Sequence, residues 1–176
     1  MPRTRTPRLG FETINAMPRT RFVATFGGVF EHSPWIAEAA WKARPFADCA
    51  ALREAMCGAV RTARRERRLA LIRAHPDLAG KAAVAGRLTD ESRREQAGAG
   101  LDRCTPGEFA RLNALNAAYR EKFGFPFVMA VRGASRDDIL AALAARLDNA
   151  PDAEFAAALA EIEKIAGFRL ADLVED

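Results

Sequence analysis

The chain has 176 residues, enough for one domain with a real core, and its 49% hydrophobic and 28% charged residues are the balance of a globular protein rather than a disordered or fibrous one. No stretch approaches the roughly 18 apolar residues of a membrane-spanning helix, and the opening MPRTRTPRLG has no apolar leader, so a cytoplasmic protein with no membrane partner is expected. Twenty-seven basic against 23 acidic side chains leave +4 and a pI near 9.3, which keeps nucleic acid as a weak candidate partner and excludes a polybasic binder.

Residues 1–10, with three arginines, two prolines and no apolar period, read as a flexible arm, and the folded domain is expected over 11–176. From Phe11 the period is helical: Phe22, Val23, Phe26, Val29 and Phe30 recur at three- and four-residue steps. Ser33-Pro34 reads as a cap and first helical position for a helix through Trp35 and Trp41, and Asp48 as the cap of a helix towards Arg64. A helix through Leu69 and Ile72 must end by His75, because the residue before Pro76 is pushed out of the α region. Thr89, Asp90 and Glu91 start a short helix ending near Gly98. Thr105, Pro106 and Glu108 form a capping box for a helix that stops at Gly124. Residues 125–131 then read as a short extended apolar segment, Ser135 opens a helix to Leu147, and the last helix starts near Asp152. The expected fold is all-α, a single-domain helical bundle.

Several kinds of chemistry are excluded by pattern. Gly80-Lys81 has histidine where a phosphate-cradling loop needs its first glycine, and there is no Gly-x-Ser-x-Gly elbow or Gly-x-Gly-x-x-Gly turn. Cys49, Cys57 and Cys104 form no Cys-x-x-Cys pair, and two histidines, His32 and His75, are few for a catalytic metal centre. The basic run Arg61 to Arg68 lacks an interleaved aromatic and reads as a solvated face.

Three features stand apart. His75 ends an apolar helix and is locked by Pro76, suiting either a structural or an acid/base role. Ser92, Glu95 and Gln96 share one helix face, either a polar surface or the wall of a site. Arg169 falls on the apolar face marked by Phe155, Leu159, Ile162, Ala166 and Leu173, where it must meet a protein carboxylate or a ligand's anion, or snorkel out. Together they suit a small, polar, anionic substrate.

The motifs Phe30-Glu31-His32-Ser33-Pro34-Trp35, His75-Pro76-Asp77-Leu78-Ala79-Gly80, Ser92-x-x-Glu95-Gln96-x-x-Ala99-Gly100-Leu101, Asn116-x-x-Tyr119-x-x-Lys122-Phe123-Gly124-Phe125-Pro126-Phe127 and Arg169-Leu170 occur in this order. In them the chain resembles the 2-oxo-4-hydroxy-4-carboxy-5-ureidoimidazoline (OHCU) decarboxylases from about Phe11 to Val174. The resemblance implies decarboxylation of OHCU to (S)-allantoin in urate degradation by an all-helical homodimer, with no metal or organic cofactor and no nucleic acid. It implies His75 as the catalytic acid/base, beside which Glu95 is expected to be catalytic too, with either one taking the substrate hydroxyl proton. Substrate binding falls to Pro76, the helix Ser92, Arg93, Arg94, Glu95 and Gln96, the segment Phe127, Val128, Met129, Ala130 and Val131, and Arg169. The Glu31 to Trp35 motif reads as structural, with Ser33 capping, Trp35 packing and His32 in a local hydrogen bond. The alternatives are a lyase for a related ureido or imidazoline acid and a non-enzymatic helical binding module.

Overall fold

Side-chain acceptors stand at most of the helix starts where the sequence places them. The structure is a computed structural model that describes residues 7–80 and 86–175; six residues of the Arg-rich arm, Lys81 and Asp176 lie outside the described residues. The described helices are α1 (Phe11–Ala16), α2 (Arg19–Phe26), α3 (Trp35–Trp41), α4 (Cys49–Thr62), α5 (Arg65–Arg73), α6 (Asp90–Gly98), α7 (Pro106–Phe123), α8 (Arg136–Arg146) and α9 (Pro151–Leu173), with a 3₁₀ turn at Leu101–Arg103. Among the described residues there is no strand, and no helix is long and apolar enough to cross a membrane.

Asp48 accepts the Ala51 amide at 2.8 Å at the head of α4, and Thr89 accepts that of Ser92 at 3.2 Å at the head of α6. Full capping boxes open α7, with Thr105 and Glu108, and α8, with Ser135 and Asp138. Each such cap contributes about 1 kcal/mol. Gly124, at φ 74° in the left-handed region, stops α7. Ser33 departs from expectation. Its hydroxyl donates to the Glu31 carbonyl at 2.9 Å, and α3 is preceded by Pro34, which offers no side-chain acceptor. The chain is already turning there, with His32 left-handed at φ 47°, so the Ser33 hydroxyl faces back along it.

The contacts fall into two compact units. In the first, residues 7–71 and 163–175, α3 packs on both α2 and α4 around the fully buried Ile14, Phe22, Phe26, Ile36, Leu52 and Met56. The Phe22 and Phe26 rings lie 4.8 Å apart. Full burial of a side chain of this size is worth about 2 kcal/mol or more. The arm is tied at Leu9, whose amide donates to Leu173 at 2.9 Å and whose carbonyl accepts from Glu175 at 3.0 Å. Leu9, two residues before Phe11, is thus bonded into this unit.

The second unit, Ile72–Ile162, packs α7 against α8 around Leu112, Tyr119, Phe127, Ile139 and Leu143. The segment after Gly124 is non-helical, with Phe125, Phe127, Val128 and Val131 buried. Tyr119 meets Phe127 edge-on at 5.4 Å.

Candidate active site

Pro76 sets the local geometry at His75. Helix α5 stops at Arg73, and the His75 amide closes one last turn onto Ile72 at 3.1 Å. The chain then turns through a loop held by three side chains. Arg120 pairs with Asp77 at 2.9 Å, Asn116 donates to the Leu78 carbonyl at 3.0 Å, and the Ala79 amide donates to Gln96 Oε1 at 2.9 Å. The exposed pair adds little, whereas the two amide bonds are buried and each is costly to break. Ala79 is left-handed at φ 50°, a conformation that a residue with a Cβ adopts only where its surroundings impose it. A Cβ on the following Gly80 would come within 2.7 Å of the Asp77 Cβ, so the turn is tight enough to require glycine. His75 ends 7% exposed.

Gln96 therefore joins the histidine loop to α6. Ser92 and Gln96 are each 5% exposed and Glu95 is half-buried, so the hydroxyl, carboxylate and carboxamide face is largely inward, not a solvated surface. Arg93 and Arg94 do not share it. Both are exposed, Arg93 paired with Asp90 at 3.1 Å and Arg94 donating to the Asp90 carbonyl at 3.1 Å. They lie about 100° and 200° around the helix from Ser92, which turns them to solvent. The two arginines thus stand on the solvent side of α6, away from the inward face that carries Ser92 and Gln96.

In the segment Phe127 to Val131, Met129 and Ala130 are half-buried and the rest are buried. The Val128 carbonyl accepts from Arg146 Nη1 at 2.7 Å, and the Ala130 amide donates to Glu161 at 2.8 Å. Those two backbone groups already have protein partners, which fix the course of the segment.

Behind it lies a buried polar network that the sequence reading missed. Glu154, 0% exposed, accepts from Tyr119 at 2.6 Å, Arg146 Nε at 2.6 Å and Asn149 at 2.9 Å, and it also meets Arg146 Nη2. Burial works to raise the Glu154 pKa, but the hydrogen bonds from Arg146, Asn149 and Tyr119 outweigh it and hold the carboxyl below its ordinary value. Burial, and then the bond to Glu154, push the Tyr119 phenol far up. The missed signal was spacing, since Glu154 lies four residues before the buried Ala158 and eight before Ile162, on the apolar stripe.

Arg169 belongs to the other unit. It is 5% exposed, and its Nη1 meets Glu31 Oε2 at 3.0 Å, with the Val29 and Gly28 carbonyls at 3.3 and 3.4 Å. Of the outcomes left open for an inward arginine, the structure supplies a protein carboxylate. His32 is exposed, and Trp35 lies under the Arg67 guanidinium at 4.1 Å. Cys57 is buried, with Cys49 and Cys104 half-buried. Among the described residues no three His, Cys, Asp or Glu side chains gather as a metal site.

A proline-locked histidine tied to a buried Ser/Gln helix face that also carries a glutamate is the equipment of a small-molecule acid–base enzyme. The comparisons with known proteins give the particular class. The chain belongs to the OHCU decarboxylase family, whose model matches residues 15–171. It is 44% identical over 164 residues to a 2-oxo-4-hydroxy-4-carboxy-5-ureidoimidazoline decarboxylase of Haloferax volcanii, covering 93% of this chain and 95% of that protein. It is 42% identical to a uric acid degradation bifunctional protein of Bacillus subtilis, covering 94% of this chain but only 33% of that one. A crystal structure of (S)-allantoin synthase superposes with a TM-score of 0.75 at 33% identity, covering 94% of this chain and 54% of the solved chain. This chain thus spans about half of that solved one.

Proposed function

We propose that this chain decarboxylates OHCU to (S)-allantoin in urate degradation, as a carboxy-lyase that uses no metal or organic cofactor. Membership of the OHCU decarboxylase family supports the reaction, and the observation that carries the assignment of residues is the Gln96 bond to the loop of His75.

The chemistry asks little of the protein. OHCU carries a hydroxyl and a carboxylate on one ring carbon, beside a carbon in a C=N bond. When the bond to the carboxylate breaks, its electron pair forms a C=C bond between the two ring carbons, and the C=N pair moves to nitrogen, which takes a proton. The hydroxyl then loses its proton as C=O forms, and the neighbouring carbon takes up a proton, giving allantoin and carbon dioxide. The electron sink is in the substrate, so the protein needs only to hold the carboxylate away from water and place the protons. Glu95 and His75 serve the hydroxyl and the proton-accepting carbon, with His75 as proton carrier. Ser92 and Gln96 bind the substrate from α6, and Arg169 binds its ureido or ring carbonyl groups. Delivery of that proton to one face sets the single (S) configuration.

Incubation with freshly generated OHCU tests the reaction. Carbon dioxide release well above the protein-free rate is expected, and release at the protein-free rate from folded protein would refute it. A related ureido or imidazoline acid turned over faster than OHCU would move the assignment to the neighbouring lyase class. A homodimer, which rests on the resemblance, is a further proposal, and a cytoplasmic location is another. Light scattering at twice the 19.2 kDa chain mass would support the first, and a monomer mass would exclude it.

A further inference from the structure

We infer that Glu31 is a positioning residue for the decarboxylation, holding the Arg169 guanidinium in the orientation in which it binds substrate. The inference rests on the reading of Arg169 as a substrate ligand. Glu31 is 2% exposed and Arg169 5%, and a guanidinium cannot shed its charge to suit burial. Glu31 answers that need, its Oε2 accepting from Nη1 at 3.0 Å. The Gly28 and Val29 carbonyls approach the same nitrogen at 3.4 and 3.3 Å. A buried carboxylate at one tip of a rigid planar fork constrains the direction of the whole group.

The carboxylate is itself held by its backbone. His32 is left-handed at φ 47°, and the Ser33 hydroxyl donates to the Glu31 carbonyl at 2.9 Å. The Glu31-His32-Ser33 turn, which reads as structural in sequence, thereby acquires a task in the reaction. A buried ion pair adds little net stability over an apolar pair of the same volume, so stability alone is a weak reason for placing both charges here.

Steady-state kinetics of Glu31→Gln, Glu31→Asp, Arg169→Met and the Glu31→Gln/Arg169→Met double variant test the inference, with helical circular dichroism and a melting curve on each. Glu31→Gln is expected to raise KM at least about tenfold with kcat within about threefold of wild type, the pattern of lost binding. Glu31→Asp should lie in between, and the double variant should match Arg169→Met within about twofold, because both changes remove one function. If Arg169→Met left KM unchanged, the reading of Arg169 as a ligand would fail, and the inference with it. If Arg169→Met raised KM while folded Glu31→Gln did not, or if the two effects multiplied, the positioning role alone would be overturned. Should Glu31→Gln fail to fold, Glu31→Asp carries the same comparison, and an unchanged KM there would overturn the role.

Discussion

Gln96 Oε1 accepts the backbone amide of Ala79 at 2.9 Å, so a helix side chain 17 residues away fixes the loop that begins at His75. Replacing Gln96 with leucine would leave that buried amide without its acceptor, a loss of about 1–3 kcal/mol. Urea unfolding should report the destabilisation, and kcat/KM should fall at least about tenfold as the histidine loses its placement. Gln96→Glu keeps an acceptor oxygen and should be milder in both measurements. Equal effects from the two variants would mean that the bond to Ala79 is not what matters.

The acid–base assignment is tested at His75 and Glu95. His75→Asn and Glu95→Gln preserve size and polarity but cannot carry the proton as the native groups do. Each should lower kcat/KM by about 100-fold or more, the usual scale of a positioned acid or base. A value within about threefold of wild type, under about 1 kcal/mol of transition-state stabilisation, would remove that residue from the chemistry.

The network around Glu154 predicts how stability depends on pH. Its carboxyl is held below the ordinary 4.5, so its contribution is complete above that value and is lost as pH falls through the lower, folded value. Glu154→Gln should flatten acid unfolding below about pH 4.5. At neutral pH it should destabilise by about 3–5 kcal/mol, because Arg146 stays buried without its carboxylate. Tyr119 has the opposite sense, since its raised pKa makes stability fall as pH rises above about 10. It is the chain's one tyrosine, so phenolate absorbance reads it alone. Folded protein should show no phenolate near pH 10, and ordinary titration there would contradict the buried bond.

Burial pushes the Cys57 thiol up to about 11, with the nearby Glu163 adding to the shift. A disulfide reagent at pH 8 should therefore modify the half-buried Cys49 and Cys104 well before Cys57, and mass mapping of the labelled peptides checks the order. Early labelling of Cys57 would show that its helix face opens.

The parts of the fold legible in sequence were those governed by neighbours along the chain. Asp48, Thr89, Thr105 and Ser135 each bond an amide three residues ahead, so local chemistry places them. Ser33 misled because its surroundings had already turned the chain. The candidate site was legible in its residue types and spacing, but its partners were not. Arg169 announced its need for an anion, yet Glu31 lies 138 residues away in sequence, and Gln96 and Ala79 meet only through folding. Glu154 was hidden for a related reason, since an acid in the first turn of a helix is already explained by the macrodipole.

The central claim is stereospecific proton delivery after loss of carbon dioxide. OHCU generated in the cuvette from urate by the upstream enzymes, and followed by circular dichroism with and without the protein, tests it most directly. Uncatalysed protonation in water reaches both faces of the ring and gives a racemate, so its signal decays to zero. A fast rise of one enantiomer's signal, unchanged by EDTA and lost in His75→Asn, is expected. Decay to a racemate at the uncatalysed rate, with folded protein present, would contradict it.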